Sequence, residues 1–513
     1  MNGARSLVGT LLLNGIDTCF ANPGTSEMHF VAALDQAVGM RCVLGLQENV
    51  VTGMADGYWR MAGKPACTLL HCGPGLANGL ANLHNAKRAH AGIVNIVGDQ
   101  ATWHRPFDPP LNTDTEGLAR TVSSWVHTCN TAQEVGSSAS QAVQVARNSQ
   151  GQIATLILPS DTCWDEGGQV GPKLTDSSSS INMDSINEAA LILKTNGERV
   201  LLLLAGAATL EESQTLLWQI SQATQCGLMV DYVVGRVARG QGRIPLPRVP
   251  YNSDAAAKEL SKYTHIILVN AKAPIGFFAY PNKPSQQYTP GTQISMLTNA
   301  QQNPIETLQA LVHALKAPKA SIPLTGEKPV ASNGAPSSEK LAQTVAALMP
   351  ENAIVSDESV SYGRGFYPLT YAAAPHDWLH LAGGAIGAGL PMATGAAVGA
   401  QGKRRVISLQ ADGSAMYSLQ ALWTQAREKL PVTTILLNNH KYAILINELN
   451  AVGATPGVTA MNMLDLGNPN LNWDDLARGM GVEAARASTM EECADLMKQS
   501  FQINGPFLIE LMI

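Results

Sequence analysis

Most of the chain alternates short apolar runs with longer stretches in which apolar residues recur every three or four positions. Runs at 41–46, 66–71, 93–97 and 153–158 predict strands of one set. Runs at 200–204, 227–230, 265–269 and 293–296 predict a second, and 353–355, 406–409 and 432–437 a third. Apolar strands separated by helical patterns predict parallel sheets covered on both faces. The expected fold is α/β, with three doubly wound parallel-sheet domains at 1–170, 183–316 and 341–513. A polar stretch at 173–182 with four consecutive serines marks the first boundary. At 317–340 Pro, Ser, Gly and Lys replace apolar residues and predict a linker.

The third set carries the densest chemistry. Its run at 406–409 leads into Gln410-Ala411-Asp412-Gly413-Ser414, after which Leu419, Leu422, Trp423, Ala426 and Leu430 recur at helical spacing; the run at 432–437 then stops at Asn438-Asn439. One βαβ unit brings both polar tips to the carboxyl ends of neighbouring parallel strands. There Asp412 and Asn439 can share one ion. A carboxylate, an amide oxygen and a backbone carbonyl are hard ligands suited to Mg²⁺, which keeps other positions for phosphate oxygens and water.

In the first set, Asn22-Pro23-Gly24-Thr25-Ser26-Glu27 is a turn followed by helix-capping residues. Glu48 falls between a strand and an almost uncharged helix, so it is expected at a buried edge where a carboxyl group can exchange a proton with a ring nitrogen. The strand ending at Leu70-His71 opens onto Cys72-Gly73-Pro74-Gly75-Leu76-Ala77-Asn78-Gly79. Backbone amides of such a turn meet ligands closely, and His71 is a candidate catalyst beside it. Cys72 is expected to pack, because no activating positive charge lies nearby. Trp103-His104-Arg105 lies in a loop that could face the same crevice.

Composition narrows the choice. A formal net charge of −6 without basic runs excludes a nucleic-acid partner. No apolar stretch reaches the roughly 18 residues of a membrane helix, and the first residues do not form a signal peptide, so no membrane partner and a cytoplasmic location are expected. Eight cysteines without a Cys-x-x-Cys pair predict reduced thiols, not a disulfide framework or a zinc site.

Taken together, Asn-Pro-Gly-Thr-Ser-Glu at 22–27, Leu-Gln-Glu at 46–48 with Ala-Asp-Gly-Tyr at 55–58, the strand-end His71, and Asp-Gly-Ser-Ala at 412–415 closing on Asn438-Asn439 resemble a known family. It is the thiamine-diphosphate-dependent 2-oxo-acid decarboxylase and acetolactate synthase family, and these motifs are closest to the benzoylformate decarboxylases. The likeness covers both outer domains in order and is weak across the middle one. Ala411 stands where the family usually has the first Gly of Gly-Asp-Gly. The resemblance implies thiamine diphosphate and Mg²⁺ as cofactors, with Asp412, Asn439 and the backbone carbonyl of Lys441 on the metal. It further implies that Gly413, Ser414, Tyr442, Val360 and Ser361 border the diphosphate. Asn78 is a further implied cofactor-binding residue; the carbonyl of Gly384 holds the pyrimidine amino group, and Ile386 supports the folded cofactor. Glu48 is then the partner of the pyrimidine ring, His71 a proton relay and Thr25 a substrate-binding hydroxyl. Ile444 and Glu448 stand in the substrate pocket where the benzoylformate decarboxylases have other residues, and Ala279 lies nearest the place of their second active-site histidine. The implied assembly is a homodimer or homotetramer with active sites between subunits.

The leading expectation is an enzyme that cleaves or forms the carbon–carbon bond next to the carbonyl of a small-molecule 2-oxo acid. Decarboxylation to an aldehyde is favoured over acetolactate-synthase-like ligation to a second carbonyl, and no convincing flavin-binding stretch stands in the middle domain. A non-catalytic, cofactor-binding regulatory paralogue is the alternative of another class, against which Glu48 counts. A dinucleotide-dependent dehydrogenase would rest on the glycines at 383–389 alone, without the acidic ribose partner about 20 residues on.

Overall fold

The computed structural model describes residues 1–148, 150–175, 181–300 and 302–513; Asp176 and the four serines of the first expected boundary, at 177–180, lie outside the described residues. The amino-terminal sheet holds β1 (Thr18–Ala21), β2 (Arg41–Leu44), β3 (Ala66–Leu70), β4 (Ile93–Asp99), β5 (Trp125–Thr128) and β6 (Ile153–Pro159). Its spatial order is β2-β1-β3-β4-β6-β5, and every pairing is parallel. Every residue of β3, β4 and β6 is buried, which explains their unbroken apolar runs.

The middle segment holds β7 (Val200–Leu204), β8 (Gly227–Val230), β9 (Arg236–Arg239), β10 (His265–Val269) and β11 (Gln293–Thr298). Four of these form a parallel sheet in the order β11-β10-β7-β8. The carboxy-terminal sheet holds β12 (Ala353–Glu358), β13 (His376–His380), β14 (Val406–Ala411), β15 (Val432–Asn438), β16 (Glu483–Ala487) and β17 (Phe507–Met512). Its order is β16-β17-β15-β14-β12-β13-β9, parallel except for β9, an antiparallel edge donated by the middle segment. The fold is thus α/β with three parallel-sheet units. Strand pattern alone missed β1, β5, β9, β13, β16 and β17. The helical stretch after Asp412 is also broken in two, Asp412–Ala415 and Ala421–Arg427, with Leu419 and Leu430 outside both.

The outer units share one apolar core. Val50, Met54, Leu390, Met392, Ala393 and Ala396 meet where helix Glu48–Ala62 lies on helix Gly389–Gly399. The backbones touch because glycine lines the contact: a Cβ on Gly395 would stand 1.8 Å from the Met54 carbonyl oxygen, and one on Gly57 2.1 Å from that of Met392. Beneath this contact Arg60 clasps Asp56 through Nε and Nη2 at 2.8 and 2.6 Å, while its Nη1 donates to the carbonyls of Gly235 and His380. All four groups are fixed in the interior, so this guanidinium ties the three units together.

All eight cysteines are free, and only Cys42 is exposed. Among the described residues no helix is long and apolar enough to cross a membrane.

Gly395→Ala forces a methyl group against a main-chain carbonyl that cannot rotate away. It is expected to cost about 1–3 kcal/mol and to lower the thermal unfolding midpoint by several degrees. Gly479→Ala, where a Cβ meets nothing within 4 Å, is the control and is expected to stay within about 0.5 kcal/mol.

Candidate functional site

Gln47 caps helix Glu48–Ala62, its side-chain oxygen accepting the amides of Asn49 and Val50 at 2.6 and 3.2 Å. That cap holds Glu48 in the first turn, 8% exposed, just beyond β2. Asn78 Nδ2 donates to Glu48 Oε2 at 3.0 Å. Oε1 takes no hydrogen bond among the described residues, so one carboxylate oxygen is oriented and the other is open to a ring nitrogen.

Asn78 belongs to a stripe on helix Cys72–Arg88. Asn82 Nδ2 donates to the carbonyls of Asn49 at 2.8 Å and Gly387 at 3.3 Å, while Asn85 exchanges two hydrogen bonds with Ala385, at 2.7 and 3.0 Å. His84 Nε2 lies 3.1 Å from the Gly383 carbonyl. One helix face therefore sets both the first turn of helix Glu48–Ala62 and the loop at 383–388 that carries Gly384 and Ile386. Spacings of four and three residues are the signal in the sequence that could have revealed Asn82 and Asn85.

The same loop is gripped from below. Glu358, at the end of β12, accepts the amides of Gly387, Ala388 and Gly389 at 2.8, 3.0 and 2.9 Å. Gly384 and Gly387 have φ of +77° and +100°, which side chains resist. The interior pushes the Glu358 carboxyl up to about 7, above its usual 4.5 and against the pull of the three amides. Two residues on, Val360 has φ +53°. A β-branched residue in that region is strained, and such strain gathers at ligand sites. Ser361 is half-buried at the start of the following turn.

Asp412 sits where β14 ends, 2% exposed. Its Oδ1 accepts the Gly413 amide at 2.9 Å and its Oδ2 the His440 amide at 2.8 Å, which joins the tips of β14 and β15. Burial raises its pKa although both amides lower it, and no Lys or Arg side chain among the described residues pairs with it. Asn439 Oδ1 accepts the Lys441 amide at 3.1 Å, and the Lys441 carbonyl accepts the Ala443 amide at 3.0 Å. A buried carboxylate without a cationic partner, beside amide and carbonyl oxygens, is a donor set that fits a divalent cation. Ser414 Oγ donates to the Glu358 carbonyl at 3.3 Å, so this turn and the glycine loop share an anchor. A Cβ on Gly413 would lie 2.4 Å from the Tyr442 ring, so Tyr442 closes directly over the turn.

His71 caps helix Cys72–Arg88 just after β3. Its Nδ1 lies 3.0 Å from Oε2 of Glu27, a buried carboxylate overlooked in the turn at 22–27. Thr25 is exposed in the same turn. Cys72 is buried, and desolvation pushes its thiol up to about 11, which suits a packing role. In the neighbouring loop Trp103 is exposed and Arg105 lies 3.5 Å from Asp99.

Glu448 and Ile444 lie on helix Ala443–Ala451, both half-buried. Both Glu448 oxygens are engaged by phenols of the middle segment, Tyr251 at 3.1 Å and Tyr280 at 2.9 Å. Phe277 packs against Tyr232, Tyr251 and Phe278, and a Cβ on Gly384 would lie 2.4 Å from its ring. The middle segment thus walls the crevice beside the glycine loop. Within one chain, no hydrogen bond among the described residues links the Glu48 carboxylate to Asp412 or Asn439.

Comparison with known proteins places both outer units in one family. Residues 1–120 match the thiamine pyrophosphate enzyme N-terminal TPP binding domain, and residues 365–511 match the corresponding C-terminal TPP binding domain. The chain is 44% identical, over all of its length and 99% of the relative's, to the "Putative acetolactate synthase large subunit IlvX" of Mycobacterium tuberculosis. It is 29% identical to benzoylformate decarboxylase of Pseudomonas aeruginosa, over 97% of this chain and 96% of that one. Among solved structures, the thiamine diphosphate-dependent 4-hydroxybenzoylformate decarboxylase of Rhodococcus jostii RHA1 superposes with a TM-score of 0.84 at 25% identity, covering 99% of this chain and 98% of that one.

Because the folded Glu358 value of about 7 exceeds the usual 4.5, its contribution to stability is fully present below pH 4.5 and lost as pH rises through 7. That loss is on the order of 3 kcal/mol. Glu358→Gln turns an amide donor toward a main-chain amide and is expected to lower stability at every pH while flattening this slope. Denaturation midpoints between pH 4.5 and 8 check both effects.

Proposed function

The chain belongs to the thiamine pyrophosphate enzyme family, and from that premise we propose that it decarboxylates a 2-oxo acid without oxidation and releases an aldehyde. Bound thiamine diphosphate supplies an electron sink for breaking the bond between carbonyl and carboxylate carbons. Glu48 holds a proton at the pyrimidine ring, with Asn78 fixing the orientation of its carboxylate. The carbonyl of Gly384 would receive the pyrimidine amino group and Ile386 would support the folded cofactor. Asp412, Asn439 and the Lys441 carbonyl hold Mg²⁺, while Gly413, Ser414, Val360, Ser361 and Tyr442 enclose the diphosphate. His71 moves a proton near the reacting carbonyl and Thr25 binds the substrate. Ile444 and Glu448, with the rings of Phe277 and Tyr280, bound the side-chain end of the pocket and exclude water.

The observation that carries this reading is the half-satisfied Glu48 carboxylate. A regulatory relative needs no oriented carboxylate with an open oxygen at a ring-binding position. Acetolactate-synthase-like ligation is the second reading, favoured by the 44% identity to a protein of that description. A second copy of the chain completes each site. Support comes from exposed apolar side chains on the segments that carry both halves: Trp103 and Phe107 in the loop after β4, and Leu445, Val452, Val458 and Met463 beyond Tyr442.

Product analysis on a panel of 2-oxo acids, with and without added aldehyde, separates the two reactions. An aldehyde as the main product supports decarboxylation, and a 2-hydroxyketone or acetohydroxy acid supports ligation. Glu48→Gln is expected to keep the cofactor and to lose about 10²–10⁴-fold in kcat; unchanged turnover would remove Glu48 from the reaction.

Asp412→Asn keeps the shape of the turn and removes its charge. Titration calorimetry is expected to show Mg²⁺-dependent thiamine diphosphate binding weakened about 100-fold, equivalent to roughly 3 kcal/mol. Equal affinity would overturn the metal assignment.

A further inference from the structure

The carboxylate of Glu27 is surrounded by donors. The Gly24 amide donates to Oε2 at 2.8 Å, the Ser26 hydroxyl donates to Oε1, and His71 Nδ1 lies 3.0 and 3.2 Å from the two oxygens. Glu27 is 2% exposed, and no Lys or Arg side chain pairs with it among the described residues. A carboxylate buried this deeply persists only when its lone pairs are filled, and each of these partners can fill one only as a donor. The ring must then carry its hydrogen on Nδ1.

The turn also packs on the ring: Gly24 lies so close to the imidazole that a Cβ there would stand 2.1 Å from Cγ and 2.2 Å from Nδ1. The ring's Nε2 makes no hydrogen bond among the described residues, and the side chain remains 23% exposed. Glu27, His71 and Cys72 also have ligand atoms within 4.8 Å of one another, a spacing a metal could use. The filled Glu27 oxygens and a Cys72 thiol pushed up to about 11 disfavour that use.

We infer that Glu27 is a positioning residue: it locks His71 in the Nδ1–H tautomer, so that Nε2, with its free lone pair, is the atom that takes a proton in the crevice. A histidine's second nitrogen sets the task of the first in this way wherever a carboxylate orients it. Glu27 acts only through His71, and the inference rests on the proposed role of His71 in the reaction.

The ring nitrogens of His71 report directly. In ¹⁵N-labelled wild-type protein at neutral pH the hydrogen is expected on Nδ1; a neutral ring protonated on Nε2 overturns the inference whatever the activity. Glu27→Gln, which can turn its NH₂ toward Nδ1, is expected to move the hydrogen to Nε2. With a 2-oxo acid that the wild type turns over, kcat should fall about 30-fold with KM within threefold, and Glu27→Asp should recover part of the loss. In a His71→Ala background Glu27→Gln should cost less than threefold, because the two act as a unit. An equal loss in both backgrounds would overturn the positioning role and leave Glu27 structural. If no 2-oxo acid is turned over, the proposed function fails, while the tautomer measurement still decides whether Glu27 sets the ring.

Discussion

Helix Glu48–Ala62 and helix Gly389–Gly399 can approach to main-chain contact only because glycine stands at 57 and 395. That approach sets two parts of the site. The first helix begins at Glu48, and the second emerges from the loop that carries Gly384 and Ile386. Two amino-terminal helix ends, from segments more than 300 residues apart, therefore hold a fixed relation to each other. Larger residues at the contact would push the helices apart and move both ends together, so the apolar core shared by the outer units also serves to position the site.

Around this pair the interior is unusually rich in carboxylates, and each is neutralised differently. Asp56 meets Arg60 in a bidentate pair, and that guanidinium reaches the other two units. Glu358 meets three consecutive amides and shapes a loop. Glu27 meets an amide, a hydroxyl and an imidazole. Asp412 meets two amides and, among the described residues, no Lys or Arg side chain. Of the two carboxylates left without a basic side chain, Glu358 takes three amides and Asp412 two. It is Asp412 that lies at the strand tip with the oxygens of Asn439 and Lys441, a donor set that fits a divalent cation.

The legible part of the chain was its backbone logic. Buried parallel strands such as β3, β4 and β6 are apolar at every position, and the Asp412 and Asn439 tips follow directly from two such runs with a helical stretch between them. Where the core is polar, that signal fails. β13 is spelled His-Asp-Trp-Leu-His, and its Asp377 is buried because Arg236 and Arg404 reach it, each at 2.6 Å. β9 becomes a strand only by pairing with β13, and Arg239 is tolerated there because its guanidinium lies 3.5 Å from the Tyr367 ring centroid and donates to the Tyr367 carbonyl. Glu27 and Glu358 were hidden for another reason. Glu27 lies in a turn and Glu358 at a strand end, and their partners are main-chain amides or a residue far along the chain, which no local pattern encodes.

The two ends of the site also differ in what determines them. The end beside Glu48 is made of main-chain turns, helix starts and the Asn stripe, and the close helix contact behind it leaves no room for a side chain at Gly57 or Gly395. The far end is made of side chains from the middle segment: Phe277 against Gly384, and Tyr251 and Tyr280 on Glu448. A pocket wall of side chains can be recut one residue at a time without disturbing the sheets behind it. The clamp on Glu448 is where the middle segment reaches the helix that follows the Asp412–Asn439 turn.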